Sequence, residues 1–280
     1  MKAIKLASIF AVSAVAAAVS TTTFAADGVF SGSAGLYLNS YDTSDSTYSS
    51  DGELNIIVDT GVVYIDMDMA NDITDADGDS NSSFVMDEAY VTQGAVQFGD
   101  FDGSLIDAAV TYAGTEEGND YSSDLGASLG VRYAVSDDLT VAFEMTEGTD
   151  DDGFGVSYSA DLGVAALTIS GGLQGDDGSA VAAGVEMPLG AATVSGYYQS
   201  GKSTADADIS SYGAGVDFAV SDALAVAATY LEDGETSGKS NMEFSAFYTA
   251  GDVEYVATYI DYSEEDGSED YMILGARASF

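Results

Sequence analysis

The stretch Asp270-Tyr271-Met272-Ile273-Leu274-Gly275-Ala276-Arg277-Ala278-Ser279-Phe280 alternates with period two. Counting back in twos from Phe280, the residues Ala278, Ala276, Leu274 and Met272 form an uninterrupted apolar face, and Ser279, Arg277, Gly275 and Ile273 form the other. That period belongs to a β-strand, whose successive side chains point to opposite sides. The last residues of a soluble domain usually fray and are commonly polar. Here the pattern runs to the final residue, so the stretch reads as a complete strand with one side for oil and the other mostly for water.

The same grain runs back along the chain. Alternating runs rich in Val, Tyr, Phe, Thr and Ala are separated by clusters of Asp, Gly, Ser and Asn, and no stretch has a helical period. The clearest predicted strands are 62–69, 125–135, 139–145, 154–160, 181–187, 212–220 and 224–230. The connections alternate in kind. Long acidic ones are predicted at 42–52, 70–83, 101–122, 148–152, 174–177, 200–208, 232–238 and 263–269, and tight ones near 60–61, 93, 136–138, 161–163, 188–189, 221–223 and 250–252. Eight long and seven short connections imply sixteen antiparallel strands, with fourteen as the alternative. An even number leaves both chain ends on the short-turn side, the rule for outer-membrane barrels. The run 104–112 competes as a further strand but breaks the parity, so it is placed inside the longest loop. The lone proline, Pro188, is expected at a tight turn.

Composition narrows the setting. Lys2 and Lys5 precede an apolar run from Leu6 to Val19, followed by small residues up to Thr23-Phe24-Ala25. This predicts a signal peptide over 1–25, with cleavage after Ala26 or a retained anchor as alternatives, and a barrel over 26–280. Beyond it no run of about 18 uncharged apolar residues occurs. The chain has no cysteine, so no disulfide framework supports an exported fold. Arg132, Lys202, Lys239 and Arg277 are then the only basic side chains against 48 acids. Removing Lys2 and Lys5 takes the formal charge from −42 to about −44. A nucleic-acid partner is excluded, since neutralising phosphates needs Lys and Arg. The 46% hydrophobic content and 18 tyrosines argue against disorder. A soluble β-sandwich is the competing fold, and the strict alternation of long and short connections speaks against it.

The segment Met86-Asp87-Glu88-Ala89-Tyr90-Val91-Thr92-Gln93-Gly94-Ala95-Val96-Gln97-Phe98-Gly99-Asp100 resembles the fourth strand, tight turn and fifth strand of the general porins of Gram-negative outer membranes. The Glu88-Ala89-Tyr90-Val91 core, Gly94 and the Phe98-Gly99 pair before a long loop carry the likeness, with the signal peptide, Ala26-Asp27-Gly28 and terminal Phe280. The resemblance implies a sixteen-stranded barrel, usually trimeric, whose third outer loop folds inward to narrow the pore. Loop 101–122 takes that place and supplies Asp102, Asp107, Glu116, Glu117 and Asp120 as the acidic side of the constriction. The family's facing cluster of arginines has no equivalent beyond Arg132 and Arg277. Phe280 is implied as an assembly signal.

Strand parity places Asp66, Asp68, Arg132, Glu144, Glu186, Asp217, Glu243 and Arg277 on the pore-lining face. Charged side chains on the lipid face cost about 2–4 kcal/mol for a basic group at the midplane, which favours the inward reading. Asp87 and Glu88 occupy both faces of their strand, so its phase is open. Acidic rings favour cations, so the expected function is a water-filled, cation-preferring channel for passive diffusion of ions and small hydrophilic solutes. A sugar-selective channel, with Tyr64 and Tyr197 stacking on the sugar, or a surface-interaction barrel with an incidental pore, are the alternatives. Tyr37, Tyr64, Tyr133, Tyr158, Tyr198, Tyr230, Tyr248 and Tyr255 suit interfacial girdles. The acidic loops suit bridging by divalent cations to one another or to lipopolysaccharide. The stretch Asp75-Ala76-Asp77-Gly78-Asp79-Ser80-Asn81 loosely resembles a calcium loop but lacks its sixth-position glycine and twelfth-position glutamate, so no metal site is assigned and no cofactor is expected. An enzyme is disfavoured because the chain has no histidine for base catalysis.

Overall fold

The computed structural model describes residues 27–72, 81–112, 121–122, 125–146, 152–235 and 238–280. The predicted signal peptide and residues 73–80 of the predicted 70–83 loop, with all of its calcium-like stretch but Asn81, lie outside them. The first half of the chain forms β1 (Asp27–Tyr41), β2 (Thr47–Asp59), β3 (Val63–Asp72), β4 (Asn81–Gln93), β5 (Val96–Asp100), β6 (Leu129–Ala134), β7 (Leu139–Met145) and β8 (Asp152–Asp161). The second half forms β9 (Ala166–Gln174), β10 (Gly178–Leu189), β11 (Ala192–Lys202), β12 (Asp208–Ala219), β13 (Leu224–Asp233), β14 (Ser240–Ala250), β15 (Val253–Tyr262) and β16 (Tyr271–Ser279). Each strand pairs with its chain neighbours, and β1 pairs with β16, so the sheet is a closed antiparallel barrel of sixteen strands. Closure leaves no sheet edge, as a hydrocarbon setting requires.

The seven short turns use three local devices. Gly94, Gly190 and Gly251 open two-residue turns with φ of 62°, 72° and 67°, a backbone that suits glycine at the first position of a type II′ hairpin. The carboxylates of Asp59 and Asp161 each accept the amide two residues on, from Gly61 and Gly163, both at 2.7 Å. Ser136 and Ser221 accept the amides of Leu139 and Leu224 through their hydroxyls at 3.2 and 3.1 Å. These turns fix register, and register fixes which face each residue takes.

The inside-out character is plainest on β8, where Phe154, Val156 and Tyr158 are exposed on the outer face while Gly153, Gly155 and Ser157 are buried within. Apolar outside and small or polar inside inverts a soluble sandwich and fits a lipid-embedded wall. Tyr133, Tyr158, Tyr248 and Tyr255 point outward near the short-turn end, with rings available to lipid. Tyr37 and Tyr64 instead point inward, so the girdle expected of them is corrected: Tyr64 stacks on Tyr90 at 5.0 Å, and Tyr37 packs on Ile260 and Ile273.

Several predicted boundaries shift. The first long connection shrinks to 42–46 because β1 and β2 stay paired as far as Asn39 and Thr47. Pro188 lies inside β10, two residues past the last pairing with β9 at Glu186–Ala166, where a missing N–H costs no ladder bond. The strand predicted at 125–135 is only Leu129–Ala134, because Leu125 turns into the barrel and packs on Ile106 and Ala180. The run 104–112 forms no strand. A register shift at Asp66/Met67 leaves Asp87 as the extra residue between Glu88 and Met86, a β-bulge that explains how two adjacent acids fit one strand.

Candidate channel and its inward loop

The wall is lowest at β5, β6 and β7, which have 5, 6 and 7 residues against 15 in β1. There the chain leaves β5 at Asp100 and turns into the barrel. Phe101 is buried, with Arg132 of β6 stacked over its ring at 4.0 Å and donating from its guanidinium to the Gly103 carbonyl at 2.6 Å. The amide of Asp102 donates to Glu88 of β4 at 2.8 Å. Glu144 of β7, 2% exposed, accepts the Ser104 hydroxyl at 2.5 Å and the Leu105 amide at 2.8 Å. Ser170 of β9 donates to the Ile106 carbonyl at 2.7 Å and accepts the Ala109 amide at 3.0 Å. Asp107 accepts the Leu125 amide at 2.9 Å and the side-chain amide of Gln199 of β11 at 2.8 Å. The loop is thus fastened to the wall from β4 to β11.

The sequence makes room for it. Ile106 is fully buried against Gly172 of β9, where a Cβ would come within 2.8 Å of its side chain. At Gly184 of β10 a Cβ would fall 2.0 Å from the Ala109 carbonyl oxygen. Inward glycine on this arc is what lets the loop lie flat on the wall. Further along, Tyr112 packs on Tyr197 of β11 at 5.6 Å.

Burial divides the interior into two arcs. Inward side chains such as Ser170, Gln199, Ser211, Leu231, Glu243 and Ile260, on β9 to β15, are buried. Among the described residues, no inward side chain of β2–β5 is. That open arc carries Glu53, Asn55, Asp66, Asp68 and Glu88, with Asn55 opposite Asp68 and Asp66 opposite Glu88. One oxygen each of Asn55, Asp66 and Asp68 lies within the wall without a hydrogen bond. Beside the acids runs an aromatic row, Tyr64 on Tyr90 at 5.0 Å and Tyr90 on Phe101 at 5.1 Å, ending under Arg132.

The sites named from the sequence therefore separate. Asp66 and Asp68 face the open arc; Glu186 and Asp217 take inward register near the short-turn end, two strands apart. Glu243 points inward but is 1% exposed and accepts the Ser245 hydroxyl at 2.7 Å. Arg277 is paired with Glu254 of β15 at 2.8 Å. Asp102 is exposed at the start of the loop, Asp107 is engaged in holding it, and Glu116, Glu117 and Asp120 lie outside the described residues. Phe280 exchanges backbone hydrogen bonds with Gly32 at 3.0 and 3.1 Å, extending the β16 to β1 seam. Sequence reasoning missed Glu254, Glu88, Ser170 and Gln199. Inward parity marks Glu254, the bulge at Asp87 decides the face of Glu88, and nothing in the sequence shows which groups the loop would reach.

A closed, lipid-compatible barrel with a loop pinned inside it defines an outer-membrane channel protein. A model of the Gram-negative porin family matches residues 57–239, and the chain belongs to that family. Among solved structures, a five-substitution variant of the Rh. blastica porin is 17% identical with a TM-score of 0.65, covering 90% of this chain and 100% of that one. A loop-deletion variant of OmpT, an outer membrane protein of Vibrio cholerae, is 15% identical with a TM-score of 0.64, covering 91% and 100%. A triple mutant of the Rhodopseudomonas blastica porin is 17% identical with a TM-score of 0.62, covering 90% and 100%. These likenesses are of fold. No curated protein sequence matches the chain.

Proposed function

We propose that the protein is a porin whose water-filled channel prefers cations and passes ions and small hydrophilic solutes by passive diffusion. The open arc of the inner wall carries this reading. Glu53, Asp66, Asp68 and Glu88 face it, whereas Arg132 is committed to Phe101 and Gly103 and Arg277 to Glu254. A net negative wall raises the local cation concentration and opposes anions. Screening shortens from about 8 Å at physiological ionic strength to about 3 Å at 1 M, so the preference weakens in high salt. Reversal potentials across a planar bilayer under a salt gradient are expected to have the sign of cation flow, shrinking as salt rises. A potential of the opposite sign overturns the reading.

The Tyr64–Tyr90 stack beside the acids supports a second reading, a channel with a sugar subsite, which predicts that added sugar lowers ion current. The leader 1–25 and the homotrimer implied by the family resemblance belong to the first reading, and native mass of the protein extracted from outer membranes tests both. Exposed loop acids such as Asp206 and Asp208 suit divalent bridging to lipopolysaccharide, although Lys202 already pairs with these two at 2.8 and 3.3 Å. A surface-interaction role with an incidental pore is disfavoured by the short described outer connections, such as 42–46 and 175–177.

A further inference from the structure

Tyr112 of the inward loop packs on Tyr197 of β11, and Leu125 packs on Ile106 and Ala180. Between these points Tyr121 is held far from its neighbours in sequence. Its hydroxyl donates to Asp266, in the connection between β15 and β16, at 2.7 Å. Lys239, in the connection between β13 and β14, stands 5.1 Å over the Tyr121 ring and 4.0 Å from the same Asp266 oxygen. Asp266 has a side chain only 1% exposed and also accepts the Ser268 amide at 3.1 Å. Burial works against its charge, but hydrogen bonds from Ser268 and Tyr121 and the nearby Lys239 ammonium bring its carboxyl below the ordinary range. Leu125 is four positions on from Tyr121, a tether of at most about 14 Å.

We propose that Tyr121, Asp266 and Lys239 form a latch that pins the return limb of the inward loop to the last two outer loops and so fixes the width of the channel mouth. The inference rests on the channel reading. Three elements distant in sequence meet here through an ionised hydrogen bond, a cation over a ring and an ion pair, and Lys239 is one of few basic groups the chain has. With the latch formed, Tyr121 is held between the two outer connections while Ile106, Asp107 and Ala109 are held on β9 and β11. With it broken, only the wall anchors remain.

The test is single-channel recording on the full protein reconstituted in planar bilayers. Tyr121→Phe keeps the ring but removes the hydroxyl, Asp266→Asn keeps the shape but removes the charge, and Lys239→Gln removes the cation. Losing a hydrogen bond to a charged group shifts an equilibrium by about tenfold or more. Each variant is therefore expected to show greater open-channel noise, higher mean conductance and faster entry of larger sugars into liposomes. The Tyr121→Phe/Asp266→Asn pair is expected to do no more than the stronger single change, because both break one contact. Heat-modifiable gel mobility checks assembly, and Lys239→Gln carries the test if either other variant fails to assemble. Wild-type conductance and noise in the assembled variants, or effects that add independently, overturn the latch alone. A wild-type protein that conducts nothing overturns both the latch and the channel reading.

Discussion

Arg277 and Glu254 show what a pair does that parity cannot. Strand phase puts Arg277 in the lumen as a free cation, but the structure closes it on Glu254 at 2.8 Å, with both side chains about a quarter exposed. Arg277→Ala is expected to leave assembly intact and to raise cation preference by uncovering Glu254. Glu254→Gln is expected to shift preference the opposite way. Reversal potentials of both variants check this, and equal shifts of one sign would refute the pairing. Glu144 teaches the same lesson: the alternation of β7 marks it as inward, and its burial under Ser104 and Leu105 makes it an anchor instead of a water-facing charge. Period two tells which side a residue takes. It says nothing of what crosses the barrel to meet it.

Strands and tight turns were largely legible because both are local. Asp59-Thr60-Gly61 and Asp161-Leu162-Gly163 repeat one hydrogen-bonded turn, and the Ser136 and Ser221 turns repeat another. The inward loop was not legible beyond its position, since Asp107 finds Gln199 and Leu125 through tertiary placement alone. The seam between β1 and β16 carries two predictions. Deleting Phe280 removes both hydrogen bonds to Gly32, and slower insertion into bilayers or outer-membrane extract is expected by gel-shift kinetics. Outside the membrane span, Glu269 accepts the amides of Thr43 and Ser44 and the Ser44 hydroxyl, which hold its carboxyl down to about 2 from an ordinary 4.5. A carboxyl lowered on folding stabilises the folded loop above its unfolded value and loses that contribution as pH falls through the folded one. Protection of the Thr43 and Ser44 amides against hydrogen exchange, corrected for intrinsic rate, is therefore expected to hold from pH 7 to about 4.5 and to fade toward 2. Glu269→Gln is expected to lack that dependence.

Taken whole, the molecule is a barrel with an apolar outer face, a loop fastened to its inner wall from β4 to β11 and a row of open acids on β2 to β4. The closed sixteen-stranded barrel agrees with the reading from alternation and turn spacing, and the family agrees with the resemblance of the segment 86–100. What that reading lacked was the asymmetry of the lumen: inward side chains are buried from β9 to β15, and among the described residues none is from β2 to β5, although the strand pattern is the same in both arcs. The proposed channel reading puts permeation past the acidic arc beside the Tyr64–Tyr90 stack. Liposome swelling with neutral sugars of increasing size tests this: reconstituted protein is expected to admit small sugars at rates that fall steeply with size, as a narrowed aqueous pore demands. Liposomes that exclude even the smallest sugar would show a plugged barrel and contradict the account.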